Sequence, residues 1–175
     1  MDRITIKQAG EKDIPVLEEI YLDVIGWLDS IGKPLWTKER VSREGLLREF
    51  SPEEFYIAHM DGMPVACMAL QDFAPFFWFE PLEKGESLFL RRLAVKRCAA
   101  GKNLSKVLLE HAVGKCRERN IATLRLDCDA NIEKLNKLYE DFGFRLERRE
   151  TMNLGGRDYH ISFYGYHING GKEHG

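Results

Sequence analysis

The sequence predicts an α+β fold: one mixed, mostly antiparallel sheet of about seven strands with about four helices. Three observations predict it. Apolar residues recur at three- and four-residue spacing in some stretches and alternate with polar ones in others. Helical stretches fall between strands, and hairpins stand toward both ends. At 175 residues and 44% apolar, the chain is long enough for one cored domain, expected over 1–168, with a flexible tail at 169–175.

The first strand is "RITIKQAG", in which Ile4 and Ile6 alternate with polar neighbours. A helix is predicted over 13–30, where Ile14, Leu17, Ile20, Tyr21, Val24, Ile25 and Leu28 form one stripe, and Gly32 and Pro34 stop it. A second helix is predicted over 39–50. "EFYIAHMDGMPVACMALQ" reads as a hairpin turning at Asp61-Gly62. The aromatic and Pro-rich "DFAPFFWFEPLEKGES" has no period and reads as a loop bordering a site. "SLFLRRLAV" is the next strand, followed by a basic loop and a helix over 104–119 that Asn120 ends. "IATLRLDCD" is a strand with Leu124, Leu126 and Cys128 on one face. A short helix follows with the stripe Ile132, Leu135, Leu138, Tyr139 and Phe142, capped by Gly143. "FRLERRE" and "YHISFYGYH" are strands joined through the turn "NLGGRD".

A net charge of −2 excludes a broadly basic nucleic-acid binder, so no nucleic-acid partner is expected. The start is no signal peptide and no apolar run spans a bilayer, so no membrane partner is expected either. Cys67, Cys98, Cys116 and Cys128 show no CxxC and no metal-ligand spacing. Free thiols in a reducing cytoplasm, and no metal, are the reading.

The chemistry concentrates in "RRLAVKRCAAGKNLSKVLLEHAV". Six cations, Arg91, Arg92, Lys96, Arg97, Lys102 and Lys106, precede the first acid, Glu110. A helix N-terminus offers unpaired backbone N–H groups and partial positive charge, so this corner suits an anion. Gly101, Lys102, Asn103, Leu104, Ser105 and Lys106 would present successive amides, and Ser105 can donate to a phosphate oxygen. The other reading is a solvated, charged helix start. "GKNLSK" is neither a Walker A loop nor a GxGxxG fingerprint, which leaves a nucleotide-binding module poorly supported.

The order of elements, with a strand ending "LAV", a basic loop before a helix, another strand and then "LYEDFGFRLERR", resembles the GCN5-related N-acetyltransferase (GNAT) family. The loop departs from the family's Arg/Gln-x-x-Gly-x-Gly/Ala pattern, which falls on Ala100, Asn103 and Ser105. The resemblance implies splayed central strands and acetyl-CoA as cofactor, its pyrophosphate at the basic corner and its pantetheine arm along Leu93, Ala94 and Val95. Those amides would also hold the thioester oxygen. Tyr139 matches the tyrosine whose hydroxyl protonates the departing thiolate; otherwise it is a core aromatic. Asp127, twelve residues earlier, stands where some members carry a glutamate base; otherwise, facing away from Leu126 and Cys128, it is a solvent-exposed carboxylate. Glu86 and Asp72 are weaker candidates. Asn131 lies one place before the family asparagine that touches pantetheine, and otherwise caps the helix.

By the same resemblance the acceptor side comprises the first two helices and the loops near the central strands. Trp27, Trp36 and Trp78, with Phe76 and Phe77, would build an apolar pocket there, unless Trp27 belongs to its helix's buried stripe. The function implied is acetyl transfer to a primary amine of a small molecule or peptide by direct attack in a ternary complex. The alternative is a GNAT-fold domain that binds CoA or a ligand without turnover. Self-association as a homodimer is left open.

Overall fold

Seven strands form one sheet in the order β1-β2-β3-β4-β5-β7-β6 in the computed structural model, which describes residues 2–79 and 82–168. The strands are β1 (Ile4–Gln8), β2 (Phe55–Met60), β3 (Met63–Gln71), β4 (Ser87–Val95), β5 (Thr123–Asp129), β6 (Arg145–Leu154) and β7 (Arg157–His167). The helices are α1 (Ile14–Ser30), α2 (Arg43–Glu49), α3 (Leu104–Glu118) and α4 (Glu133–Phe142). β4 and β5 run parallel, while β1–β2, β2–β3, β5–β7 and β7–β6 are antiparallel. The expected mixed α+β sheet is the one observed. The tail expected at 169–175 lies outside the described residues.

The chain gathers into two compact units, Met1–Leu70 with Arg92–Glu110, and Gln71–Arg91 with His111–Gly175. In the first, the apolar stripe of α1 (Ile14, Leu17, Ile20, Tyr21, Val24 and Ile25) is buried with Leu46, Phe50, Phe55, Ile57, Cys67, Ala69 and Ala94. The β2–β3 turn is built as its residues dictate: Asp61 and Gly62 both take positive φ, 53° and 83°, as a tight hairpin turn requires. Helix α2 starts at Arg43 rather than at 39, because Ser42 accepts the Gly45 N–H and caps it. A Cβ on Gly45 would stand 2.1 Å from the Glu39 carbonyl oxygen, so the preceding turn packs directly on the helix backbone.

In the second unit Trp78, Phe89, Met152, Ile161 and Phe163 form the core. Trp78 meets Phe89 and Phe163 edge-on, at 5.0 Å and 4.9 Å between ring centroids. The parallel ladder between β4 and β5 is short, Ser87–Phe89 against Thr123–Arg125. The resemblance implied such an opening of the central strands. Strand β6 is longer than "FRLERRE" suggested. It extends to Leu154 because Gly155 and Gly156 take positive φ, 60° and 83°, and close a tight hairpin onto β7.

Candidate active site

In the first unit, β4 delivers Leu93, Ala94 and Val95 toward the basic corner. Just before them Arg92 has φ 56°, a left-handed residue inside a strand and the mark of a bulge. A non-glycine residue is strained there, and the surroundings hold it in place. The Tyr21 hydroxyl donates to the Arg92 carbonyl at 2.7 Å. Arg92 is 7% exposed, and its side chain donates to Glu49 and lies against the rings of Trp36 and Phe50.

The corner itself turns twice through the left-handed region, at Gly101 (φ 80°) and Asn103 (φ 60°). Asparagine adopts that conformation more readily than most residues, which makes the departure from glycine at 103 tolerable. The Asn103 carbonyl accepts the Val107 N–H and opens α3. Helix geometry then leaves the Leu104, Ser105 and Lys106 amides without intrahelical acceptors. A Cβ on Gly101 would meet nothing within 4 Å, so open space adjoins the turn.

The corner's charge is lower than its sequence suggests. Lys102 pairs with Asp2 at 2.9 Å, Lys96 with Glu19 and Arg92 with Glu49, while Asp23 accepts the Arg97 N–H. Lys102 holds the Asp2 carboxyl below its ordinary range through a hydrogen bond and charge attraction. Trp27 is 36% exposed, with the Arg97 guanidinium 3.9 Å from its ring centre. Trp36 packs on the core, edge-on to Tyr21 at 5.3 Å. Cys98 is exposed; Cys67, Cys116 and Cys128 are buried, and all four are free.

The second unit holds Tyr139 and Asp127. The Tyr139 ring, 4% exposed, lies against Phe144 and Tyr164. Burial, helped by the neighbouring Cys128, Asp127 and Tyr164, pushes its phenol well above the ordinary value. Among the described residues its hydroxyl has no hydrogen-bond partner. The Tyr164 hydroxyl, in contrast, lies 2.8 Å from both Asn136 Oδ1 and Glu140 Oε2. Asp127 Oδ2 accepts the indole N–H of Trp78 at 2.8 Å. Burial raises this carboxyl, against the lowering effects of the Trp78 bond and the Arg91 charge.

Two sequence expectations change here. Asn131 does not cap α4: the cap position belongs to Ile132, because the helix begins one residue later than the motif suggested. Asn131 instead donates its backbone N–H to Asp129 Oδ1. Trp78 has no exposed surface and belongs to the core beneath Asp127. Asn136 was missed. Its Nδ2 donates to the Asp129 and Ile132 carbonyls and its Oδ1 faces the Tyr164 hydroxyl, which fixes the start of α4. Its place three residues before Tyr139 on the apolar stripe was the available signal.

Residues 21–144, more than half of the chain, match the Acetyltransferase (GNAT) family. The chain belongs to that family. No curated protein matches it. Among solved structures, a GNAT acetyltransferase of Listeria monocytogenes is 20% identical, with TM-score 0.73, over 94% of this chain and 95% of that one. The ribosomal-protein-S18-alanine N-acetyltransferase of Escherichia coli is 17% identical, with TM-score 0.68, over 98% and 99%. The N-acetylglutamate synthase of Neisseria gonorrhoeae, solved with coenzyme A and N-acetyl-glutamate, is 24% identical, with TM-score 0.64. That match covers 95% of this chain and 35% of the synthase. At these identities the likeness is one of GNAT fold. No helix among the described residues is long and apolar enough to cross a membrane.

Proposed function

We propose that this GNAT protein is an acetyl-CoA-dependent N-acetyltransferase that acetylates a primary amine of a small molecule or peptide by direct attack in a ternary complex. One observation carries the reading. Tyr139, the tyrosine of the GNAT motif, keeps a hydroxyl without a partner among the described residues, while its neighbour Tyr164 has its own engaged.

The residues of the corner suit the cofactor. Two left-handed turns and the amides of the first helical turn, which lack intrahelical acceptors, fit a pyrophosphate, with Lys102 and Lys106 supplying charge and Ser105 a hydroxyl. Bound acetyl-CoA supplies a thioester carbon for the amine to attack and a sulfur that leaves. Leu93, Ala94 and Val95 act through backbone groups, binding the pantetheine arm and orienting the carbonyl oxygen. Asn131 remains a candidate for the pantetheine arm.

Tyr139 holds a proton at its hydroxyl oxygen. Its raised pKa keeps that proton in place in the resting protein and makes the phenol a weaker acid. Transfer therefore depends on a leaving sulfur that the same burial desolvates and makes more basic than an ordinary thiolate of pKa about 8.5. Asp127 takes the proton that the acceptor ammonium must lose before attack. A carboxyl raised by burial is a stronger base than an ordinary one, which suits this step. Trp27 and Trp36 are the acceptor-side aromatics of the first unit.

The test is an acetyl-CoA consumption screen against pooled primary amines, beside a thermal-shift titration with acetyl-CoA. Turnover with any amine, abolished by heat inactivation of the protein, upholds the reading. A thermal shift without turnover across a broad amine panel selects the non-catalytic CoA-binding domain instead.

A further inference from the structure

Among the described residues Asp127 is held from one side only. Its Oδ2 accepts the Trp78 indole N–H at 2.8 Å, and among the described residues its Oδ1 has no hydrogen-bond partner. Asp127 keeps partial exposure, although the indole that holds it has none. An indole N–H is a donor with no acceptor capacity and no charge of its own. It therefore stabilises the carboxylate's position without neutralising it, as an arginine or lysine at the same place would.

The indole is in turn locked. Phe89 and Phe163 meet it edge-on, and the Arg148 guanidinium stands 5.6 Å from its centre and 3.9 Å from that of Phe163. The strand register accounts for the row: Asp127 on β5 pairs with Phe163 on β7, which pairs with Arg148 on β6. The charged and titratable groups around Asp127 are Arg91 on β4, Arg148 and its partner Glu150 on β6, Cys128 beside it, and Tyr139 on α4. Arg148 is engaged with Glu150 and the rings, and Arg91 donates to Gln71 at 3.0 Å. Among the described residues, the Trp78 bond is what fixes the carboxylate's orientation.

We propose that Trp78 is a positioning residue of the reaction: by tying Oδ2 of Asp127 it turns Oδ1 outward to receive the proton of the acceptor ammonium. The inference rests on the N-acetyltransferase reading and assigns to Trp78 a role behind the base instead of contact with the acceptor. One N–H···O bond persists while the proton passes from the ammonium nitrogen to Oδ1, leaving a neutral amine and a carboxylic acid. The indole N–H neither gives nor takes a proton.

The first experiment needs no activity. The chain has three tryptophans, so three indole N–H resonances are expected, and Trp27→Phe and Trp36→Phe assign the third to Trp78 by elimination. In the wild-type protein that resonance should shift with pH along a single titration, and in Asp127→Asn the titration should vanish. The second experiment is kinetic, with an amine found by screening. Trp78→Phe removes the N–H and should lower kcat at least tenfold, with little change in KM for acetyl-CoA. It should also move the acid limb of the rate profile to higher pH, because the carboxylate loses a bond that favours its charged form. An indole resonance indifferent to pH in an active enzyme overturns the inference and leaves the enzymatic reading standing. So does a folded Trp78→Phe protein with the wild-type pH profile. A titrating indole in a protein that acetylates no amine removes the reaction itself, and the inference with it.

Discussion

Two tyrosine rings of the second unit, Tyr139 and Tyr164, stand 6.1 Å apart, and their hydroxyls have opposite fates. Tyr164 is tied to Asn136 and Glu140, so its loss would leave the buried amide oxygen of Asn136 unpaired. Tyr139 loses no hydrogen bond to the described residues when its hydroxyl is deleted. Tyr139→Phe should therefore melt within a degree or two of the wild type while turnover falls by roughly 10², with acetyl-CoA affinity unchanged. Full activity in that variant would return Tyr139 to a packing role. Asp127 gives a second prediction, in stability. Burial raises its folded-state pKa above the unfolded value, so the fold favours the protonated form. That contribution is complete below the ordinary carboxylate range and is lost as pH rises through the raised value. Asp127→Asn keeps a group that accepts the indole N–H and never ionises. It should melt higher than the wild type at pH 7, the difference closing as pH falls, while acetyl transfer is lost. Equal melting curves at pH 7 would mean that the carboxylate bears no burial cost. Tyr139 was legible in the sequence because "LYEDFGF" is a motif. The anchoring of Asp127 was not, since Trp78 lies 49 residues away and only folding makes them neighbours.

At the scale of elements, the bulge in β4 and the turn into α3 do most to shape the corner. Residue 92 must remain left-handed, and the Tyr21 hydroxyl is the buried donor to its carbonyl. Tyr21→Phe should cost about 1–2 kcal/mol of stability, the scale of one buried hydrogen bond lost. It should also weaken acetyl-CoA binding, because β4 reaches the corner through that bulge. A variant that loses stability yet binds acetyl-CoA as before would separate the bulge from the cofactor site. The corner's cations were legible in the sequence, but their partners were not. Asp2, Glu19 and Glu49 are remote in the chain and become neighbours only when α1, α2 and the first residues pack around β4. Lys102→Glu with Lys106→Glu should raise the acetyl-CoA dissociation constant at least tenfold, a loss of about 1.4 kcal/mol or more. Because a carboxylate introduced at position 102 would also face Asp2, the same pair belongs in an Asp2→Asn background as control. Isothermal titration in both backgrounds separates loss of the anion site from local repulsion, and unchanged affinity in both would remove the corner from the cofactor site.

For the molecule as a whole, the strands and helices were readable because each carries one dominant period, and the ends moved where a cap or glycine pair decided them. Division into two compact units was not readable, since both units draw on two separated stretches of chain. A ligand that binds only the folded state stabilises it in proportion to its occupancy. Acetyl-CoA at one hundred times its dissociation constant should add about 2.7 kcal/mol, a rise of roughly 5–11 °C in melting temperature for a chain this size. The gain should depend on the anion. At the same concentration free pantetheine, which lacks the pyrophosphate, should produce a much smaller shift, and dephospho-CoA an intermediate one. Differential scanning calorimetry is the suitable measurement, because it also reports whether the chain melts in one transition or two. If two appear, the transition that acetyl-CoA moves can be assigned with the corner variants: Lys102→Glu with Lys106→Glu should abolish the shift, and Tyr139→Phe should preserve it. Pantetheine shifts as large as those of acetyl-CoA would place the binding energy in the arm alone, and the basic corner would then be only a charged helix start.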